Sequence, residues 1–184
     1  MLILASKSPR RKELLEKANI EFTIKTKEVE EVFDKNLSIE DALIDVAFQK
    51  VLPVYMENTN DIIIGADTIV VCDSQILGKP KDYNEASYML NLLSNKFHYV
   101  MTAVIIKDSY KEIKFVEKTK VFFKKLTQEE IDYYITNDNV YDKAGSYAIQ
   151  EGASKFITSI EGDYNNVVGL PLDRVIKELK QFNL

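Results

Sequence analysis

The 184-residue chain has one cysteine, one histidine, six glycines and four prolines, and each scarcity removes a class of protein. With Cys72 alone there is no internal disulfide framework and no cysteine-only zinc site. The residue reads as a small hydrophobe near the end of a strand. His98 has no serine or cysteine context that marks a catalytic triad, and it reads as structural. Glycine and proline nowhere gather into a linker, and there is no repeat or low-complexity segment. No apolar run approaches the roughly 18 residues of a membrane span. The opening run Leu2-Ile3-Leu4-Ala5 lacks the charged start, long apolar stretch and cleavage site of a signal peptide. The expectation is a cytoplasmic protein with no membrane partner. There is no G-x-x-x-x-G-K-[ST] run of a P-loop ATPase and no G-x-G-x-x-G of a dinucleotide site. Basic residues number 24 against 29 acidic, a net charge of −5. That balance argues against a long nucleic acid as partner.

A chain that is 46% hydrophobic and 29% charged is globular rather than disordered. Its length predicts one compact domain or two closely joined lobes. Elements of both types alternate without a regular βαβ period, which predicts an α/β fold with a mixed sheet flanked by helices. Leu2 to Ala5 reads as a buried strand, followed by a helix that Ser8 caps and Pro9 opens, running to about Ala18. Glu21 to Thr26 reads as a strand. Ser38 and Asp41 have capping-box spacing, and the helix after them is expected to stop or kink at Pro53, near Leu52. Ile62 to Val71 reads as a buried strand, and Asn84 as the cap of a helix through Leu93. Two long strands, Val100 to Lys107 and Lys114 to Phe123, come next. Thr127 to Glu130 is a second capping box, with a helix to about Thr136. Phe156 to Ile160 and Asn166 to Val168 read as short strands, and Pro171 as the start of a last helix.

Five features carry chemistry. In Ser6-Lys7-Ser8-Pro9-Arg10-Arg11-Lys12 four cations crowd a helix start, where the helix dipole disfavours them. An anion there removes the penalty, and backbone N–H groups, hydroxyls and guanidinium forks suit phosphate. The bland alternative is a solvated basic patch. Asp67 sits in an apolar strand beside Gly65 and Ala66, where an unpaired carboxylate is costly. It is a general base, a metal ligand, or a carboxylate bonded to local backbone. Lys50 lies one turn after Val46 and Ala47 on an apolar helix face, and either snorkels or points into a cleft. Lys79 is a turn lysine after the Asp67 strand. The pair Glu30-Glu31 is either solvated or, joined to Asp67, a hard oxygen site for Mg²⁺ or Mn²⁺. In Lys143-Ala144-Gly145-Ser146-Tyr147-Ala148-Ile149-Gln150, small residues permit close approach and the Gln150 amide can read a base edge.

These pieces in this order resemble the Maf family of nucleoside triphosphate pyrophosphatases. The resemblance rests on Leu4 to Arg11, Glu30-Glu31, Lys50, Gly65-Ala66-Asp67-Thr68-Ile69-Val70, Gly78-Lys79-Pro80, His98 to Thr102, Asp142 to Gln150, Gly162-Asp163-Tyr164 and Val168 to Leu172. It spans nearly the whole chain. It implies an elongated two-lobed fold with a deep cleft, similar to inosine triphosphate pyrophosphatases. It also implies cleavage between the α and β phosphates of a nucleoside triphosphate, with a divalent cation, Mg²⁺ or Mn²⁺. Carried over by motif, Asp67 is the proton acceptor. Ser6, Arg10, Lys50 and Lys79 hold the triphosphate, and Glu31 with Asp67 holds the metal. Arg11, Thr68 and Gln150 resemble the branch that prefers dTTP and UTP, modified pyrimidine nucleotides included. The family is also associated with arrest of septum formation, which a non-catalytic interaction role would serve, and with homodimers. Two positions depart from its pattern. Glu151-Gly152-Ala153-Ser154 replaces a Gly-x-Gly stretch and adds a negative charge near the implied base pocket, and Val51 replaces the usual alanine after Lys50.

Overall fold

The computed structural model describes residues 1–182. Among the described residues, seven strands form one mixed sheet. They are β1 (Leu2–Leu4), β2 (Thr23–Ile24), β3 (Ile62–Cys72), β4 (Gln75–Leu77), β5 (Phe97–Lys107), β6 (Glu112–Phe123) and β7 (Ile157–Glu161). The order is β2-β1-β3-β5-β6-β7, with β4 paired to β3. β1 runs parallel to β2 and β3, while β3–β4 and β6–β7 are antiparallel. The helices are α1 (Pro9–Lys17), α2 (Ile39–Glu57), α3 (Tyr83–Leu93), α4 (Gln128–Asn137), α5 (Tyr164–Val168) and α6 (Leu172–Leu179). No helix among the described residues is long and apolar enough to cross a membrane.

The chain divides into two compact units. The first comprises Met1–Asp67, Thr102–Glu117 and Gly169–Leu184. Its core gathers Leu2, Ile3 and Leu4 of β1, Ile63 and Ile64 of β3, and the α2 face Leu43, Val46, Ala47, Val51 and Val54. The second comprises Thr68–Met101 and Lys118–Val168. Its core packs Leu90 and Leu93 of α3 with Val100, Val121, Phe123, Tyr134 and Phe156. Stacked apolar runs of this kind supply the main stabilisation, about 1.5–3 kcal/mol for each large side chain fully buried.

Several elements depart from what the sequence predicts. α2 runs through Pro53 to Glu57, because Val54 is buried on the same face and its packing outweighs one missing backbone bond. Asp82, not Asn84, caps α3, its carboxylate accepting the Glu85 N–H at 2.8 Å. Asn166 to Val168 belongs to a short helix rather than a strand. Asp163 accepts the Asn165 N–H at 2.7 Å, and the buried Asn166 amide donates to the Val100 carbonyl at 3.1 Å and to Thr119 Oγ1 at 2.9 Å. β2 is two residues long instead of the expected Glu21–Thr26. Ser8 stands at the N-cap of α1, but its side chain makes no capping bond. The Thr127–Glu130 capping box forms reciprocally.

Gly65 sets the distance between α2 and β3. A Cβ there would lie 2.3 Å from Val51 Cγ2, so the helix rests on bare backbone. Gly65→Ala is therefore expected to destabilise the protein by roughly 1–3 kcal/mol through overpacking. Trimming the neighbour, in Gly65→Ala/Val51→Ala, is expected to recover most of that loss. Urea midpoints of the two single variants and the double variant measure it, and additive losses would contradict this packing.

Candidate active site

The first unit holds six of the candidate site residues: Ser6, Arg10, Arg11, Glu31, Lys50 and Asp67. Ser6 follows β1 and is buried. Its Oγ accepts the Ser8 N–H at 3.3 Å and Arg11 Nη1 at 3.1 Å. With two bonds accepted, its own O–H is left to donate to an incoming acceptor. Pro9 brings no N–H, the Ser8 side chain does not cap, and no acidic residue stands in the first turn of α1. The positive end of that helix is thus without its usual internal anion. Arg10 is half-buried at this end. Lys7 and Lys12 are exposed and pair weakly with Glu28 at 3.8 Å and Glu16 at 3.5 Å. They contribute background field only.

Arg11 is buried. Its Nε donates to the Gly169 carbonyl at 2.8 Å, and Nη1 donates to Ser6 Oγ and, at 2.8 Å, to the Ala66 carbonyl. One guanidinium thus ties the phosphate-turn candidate to the residue before Asp67. Burial pushes its pKa below the ordinary value, while the Asp67 charge opposes that shift. The resemblance implies Arg11 as a selector of substrate; these donors bond within the protein, to Gly169, Ser6 and Ala66.

Asp67 is one of three charges in contact. Lys50 Nζ lies 2.5 Å from Asp67 Oδ1 and 3.0 Å from Glu31 Oε1. Lys50 and Asp67 are largely buried, at 20% and 17% side-chain exposure, which excludes the snorkelling reading of Lys50. Of the acidic pair, Glu31 faces this ammonium, and Glu30 is exposed. Among the described residues no three His, Cys, Asp or Glu side chains cluster as a metal cage. Two carboxylates converging on one cation nevertheless match the donor set of Mg²⁺ or Mn²⁺, which takes one or two protein carboxylates and completes its shell with water and phosphate oxygens. The residues present fit such an ion.

Sequence reasoning missed Gln49. Its amide accepts the Val32 N–H at 2.9 Å and donates to the Val32 carbonyl at 2.9 Å. A single glutamine in mid-helix carries no motif, and its place beside Lys50 was the one available cue.

The second unit holds Thr68, Lys79 and Gln150. Thr68 is half-buried, and Lys79 and Gln150 are exposed. The Gly145 N–H donates to the Gly78 carbonyl at 3.0 Å, which ties the turn carrying Lys79 to the segment carrying Gln150. Gly145 has φ +67, and a Cβ there would come 2.9 Å from Val70 Cγ2, so glycine is required. The charge of Glu151 is met internally. The buried Lys143 ammonium pairs with Glu151 at 3.2 Å and Asp142 at 2.9 Å and donates to the Asn139 carbonyl.

His98 is a core residue of the second unit. Its Nε2 lies 2.6 Å from the Tyr147 hydroxyl, and its ring meets Phe123 edge-on. Burial pushes its pKa down to about 3, from 6.5. Between those values the unfolded chain binds the proton and the folded chain does not, so stability falls as pH drops below 6.5. The loss at about pH 4.5 is roughly 2–3 kcal/mol. His98→Phe is expected to remove that part of the acid slope, which urea midpoints at about pH 7 and pH 4.5 compare. An unchanged slope would contradict a neutral buried imidazole.

A sequence profile of the family described as Maf-like protein matches residues 1–182. Two proteins named dTTP/UTP pyrophosphatase, from two strains of Bacillus cereus, are 51% and 50% identical over 183 residues. Both alignments cover 100% of this chain and 96% of the relative. Among solved structures, the Staphylococcus aureus Ham1 protein has a similar fold, with a TM-score of 0.55 at 13% identity, covering 96% of this chain and 98% of that one.

Proposed function

The chain belongs to the Maf family, and from that premise we propose that it hydrolyses nucleoside triphosphates, dTTP and UTP foremost, to the monophosphate and pyrophosphate. The observation that carries this reading is the Glu31–Lys50–Asp67 cluster, joined through Arg11 to the uncapped, basic start of α1. Phosphoryl transfer asks little of covalent chemistry and much of positioning and charge neutralisation, which this cluster is built to give.

Ser6 donates a hydrogen bond from its hydroxyl to a phosphate oxygen, and Arg10, Lys50 and Lys79 neutralise the triphosphate. Asp67 accepts a proton from water. The water oxygen bonds to the α phosphorus, the bond to the bridging oxygen breaks, and pyrophosphate leaves with that electron pair. Glu31 and Asp67 would hold a Mg²⁺ or Mn²⁺ ion, which neutralises phosphate charge when bound. Arg11 keeps Ser6 and the backbone before Asp67 in place. We assign choice of base to Thr68 and Gln150, whose amide can both donate to and accept from a pyrimidine edge.

The test is a panel of nucleoside triphosphates with Mg²⁺ or Mn²⁺, assayed for pyrophosphate. dTTP and UTP are expected to exceed the purine triphosphates by about tenfold or more in kcat/KM, since a hydrogen-bonding pocket rejects the wrong edge strongly. A chelator is expected to abolish turnover, and either ion to restore it. Equal or purine-biased turnover would overturn the pyrimidine assignment, and full activity in chelator would overturn the metal assignment.

A further inference from the structure

Glu31 lies in the 25–38 segment, which contains neither helix nor strand. Their own side chains do little to pack Glu31 and Val32 in place: Glu31 is half-exposed at 50%, and Val32 is 58% exposed. The residue after Glu31, Val32, is gripped by Gln49 of α2. That amide pairs with both the N–H and the carbonyl of Val32, each at 2.9 Å, as a neighbouring strand would. Gln49 Nε2 also donates to Asp45 Oδ2 at 2.7 Å, one turn earlier on the same helix. The next residue of that helix is Lys50, which faces Glu31 and Asp67.

We propose that Gln49 is a positioning residue that presents Glu31 to the cation seat it shares with Asp67. The proposal rests on the reading of Glu31 and Asp67 as the metal-binding pair. At neutral pH a primary amide offers a donor and an acceptor side by side, which lets it hold both the N–H and the carbonyl of one residue. Leucine offers neither, and glutamate has no donor. Fixing a residue's backbone costs conformational entropy. With Gln49 in place that cost is met during folding. Without it, the arriving cation must order the loop itself.

The experiment is Mn²⁺ titration of the full, nucleotide-free chain by calorimetry, with melting curves to confirm folding. Gln49→Leu is expected to weaken Mn²⁺ binding about tenfold, and Gln49→Glu serves as a second variant if the first folds poorly. Glu31→Gln is expected to weaken binding at least as much. The double variant Gln49→Leu/Glu31→Gln is expected to bind no more weakly than Glu31→Gln alone, because Gln49 acts through Glu31. Losses that multiply, or a Gln49→Leu that melts lower but binds Mn²⁺ as the native chain does, would overturn the proposal. If instead Glu31→Gln itself binds as the native chain does, the reading of Glu31 as a ligand fails, and the two failures are told apart.

Discussion

Asp67→Asn is expected to lower kcat by about a thousandfold or more while the protein stays folded. The amide has the shape of the carboxylate and can still accept a hydrogen bond from Lys50, which keeps Glu31 as a partner at 3.0 Å. Melting temperature should therefore move little. What disappears is the proton acceptor, a role worth about 10²–10⁴ in rate, together with one negative charge at the cation seat. Pyrophosphate release at saturating dTTP reads the first effect, and Mn²⁺ titration reads the second. Native-like turnover in Asp67→Asn would place the base elsewhere.

Arg11→Met is expected to cost about 3–5 kcal/mol of stability. Removing the buried guanidinium leaves the carbonyls of Gly169 and Ala66 and the Ser6 hydroxyl short of donors. Each unmet buried acceptor costs about 1–3 kcal/mol, and a domain has only about 5–15 kcal/mol in total. Arg11→Lys is expected to recover little, since one ammonium on a flexible stem cannot reproduce a planar fork. Urea unfolding of the three proteins measures this. It also separates two roles for Arg11. A residue that selects substrate by touching the base would leave Arg11→Lys stable and change only its preference among nucleotides. A frame residue lowers stability in both variants.

That contrast shows where sequence reading succeeds and where it stops. Asp67 stood out because a carboxylate in an apolar run demands a partner, and the structure supplies Lys50 at 2.5 Å. Lys50 itself was ambiguous, since a lysine on an apolar helix face can snorkel or turn inward, and only the facing strand decides. The resemblance implied a role for Arg11 in choice of substrate, and its part in the frame was not legible because its acceptors, Ala66 and Gly169, lie 55 and 158 residues away along the chain. Gln49 carried no pattern for the same reason: its meaning is the Val32 peptide, 17 residues away.

Fold errors follow the same physics. Pro53 broke the expected helix on local grounds, but burial of Val54 is a tertiary term. Val167 and Val168 invited a strand through β-branching, and Asp163 with the buried Asn166 amide makes a helical turn instead. The β3–β4 hairpin was invisible because its turn is Asp73-Ser74, both at positive φ without the glycine that usually marks such a turn.

The claim that this chain cuts between the α and β phosphates is tested most directly by where the attacking oxygen goes. Turnover of dTTP with Mn²⁺ in water enriched in the heavy oxygen isotope, followed by mass spectrometry of both products, reads this. The account predicts equal amounts of dTMP and pyrophosphate, with the label in dTMP. Release of orthophosphate with dTDP, or label in the pyrophosphate, would contradict it.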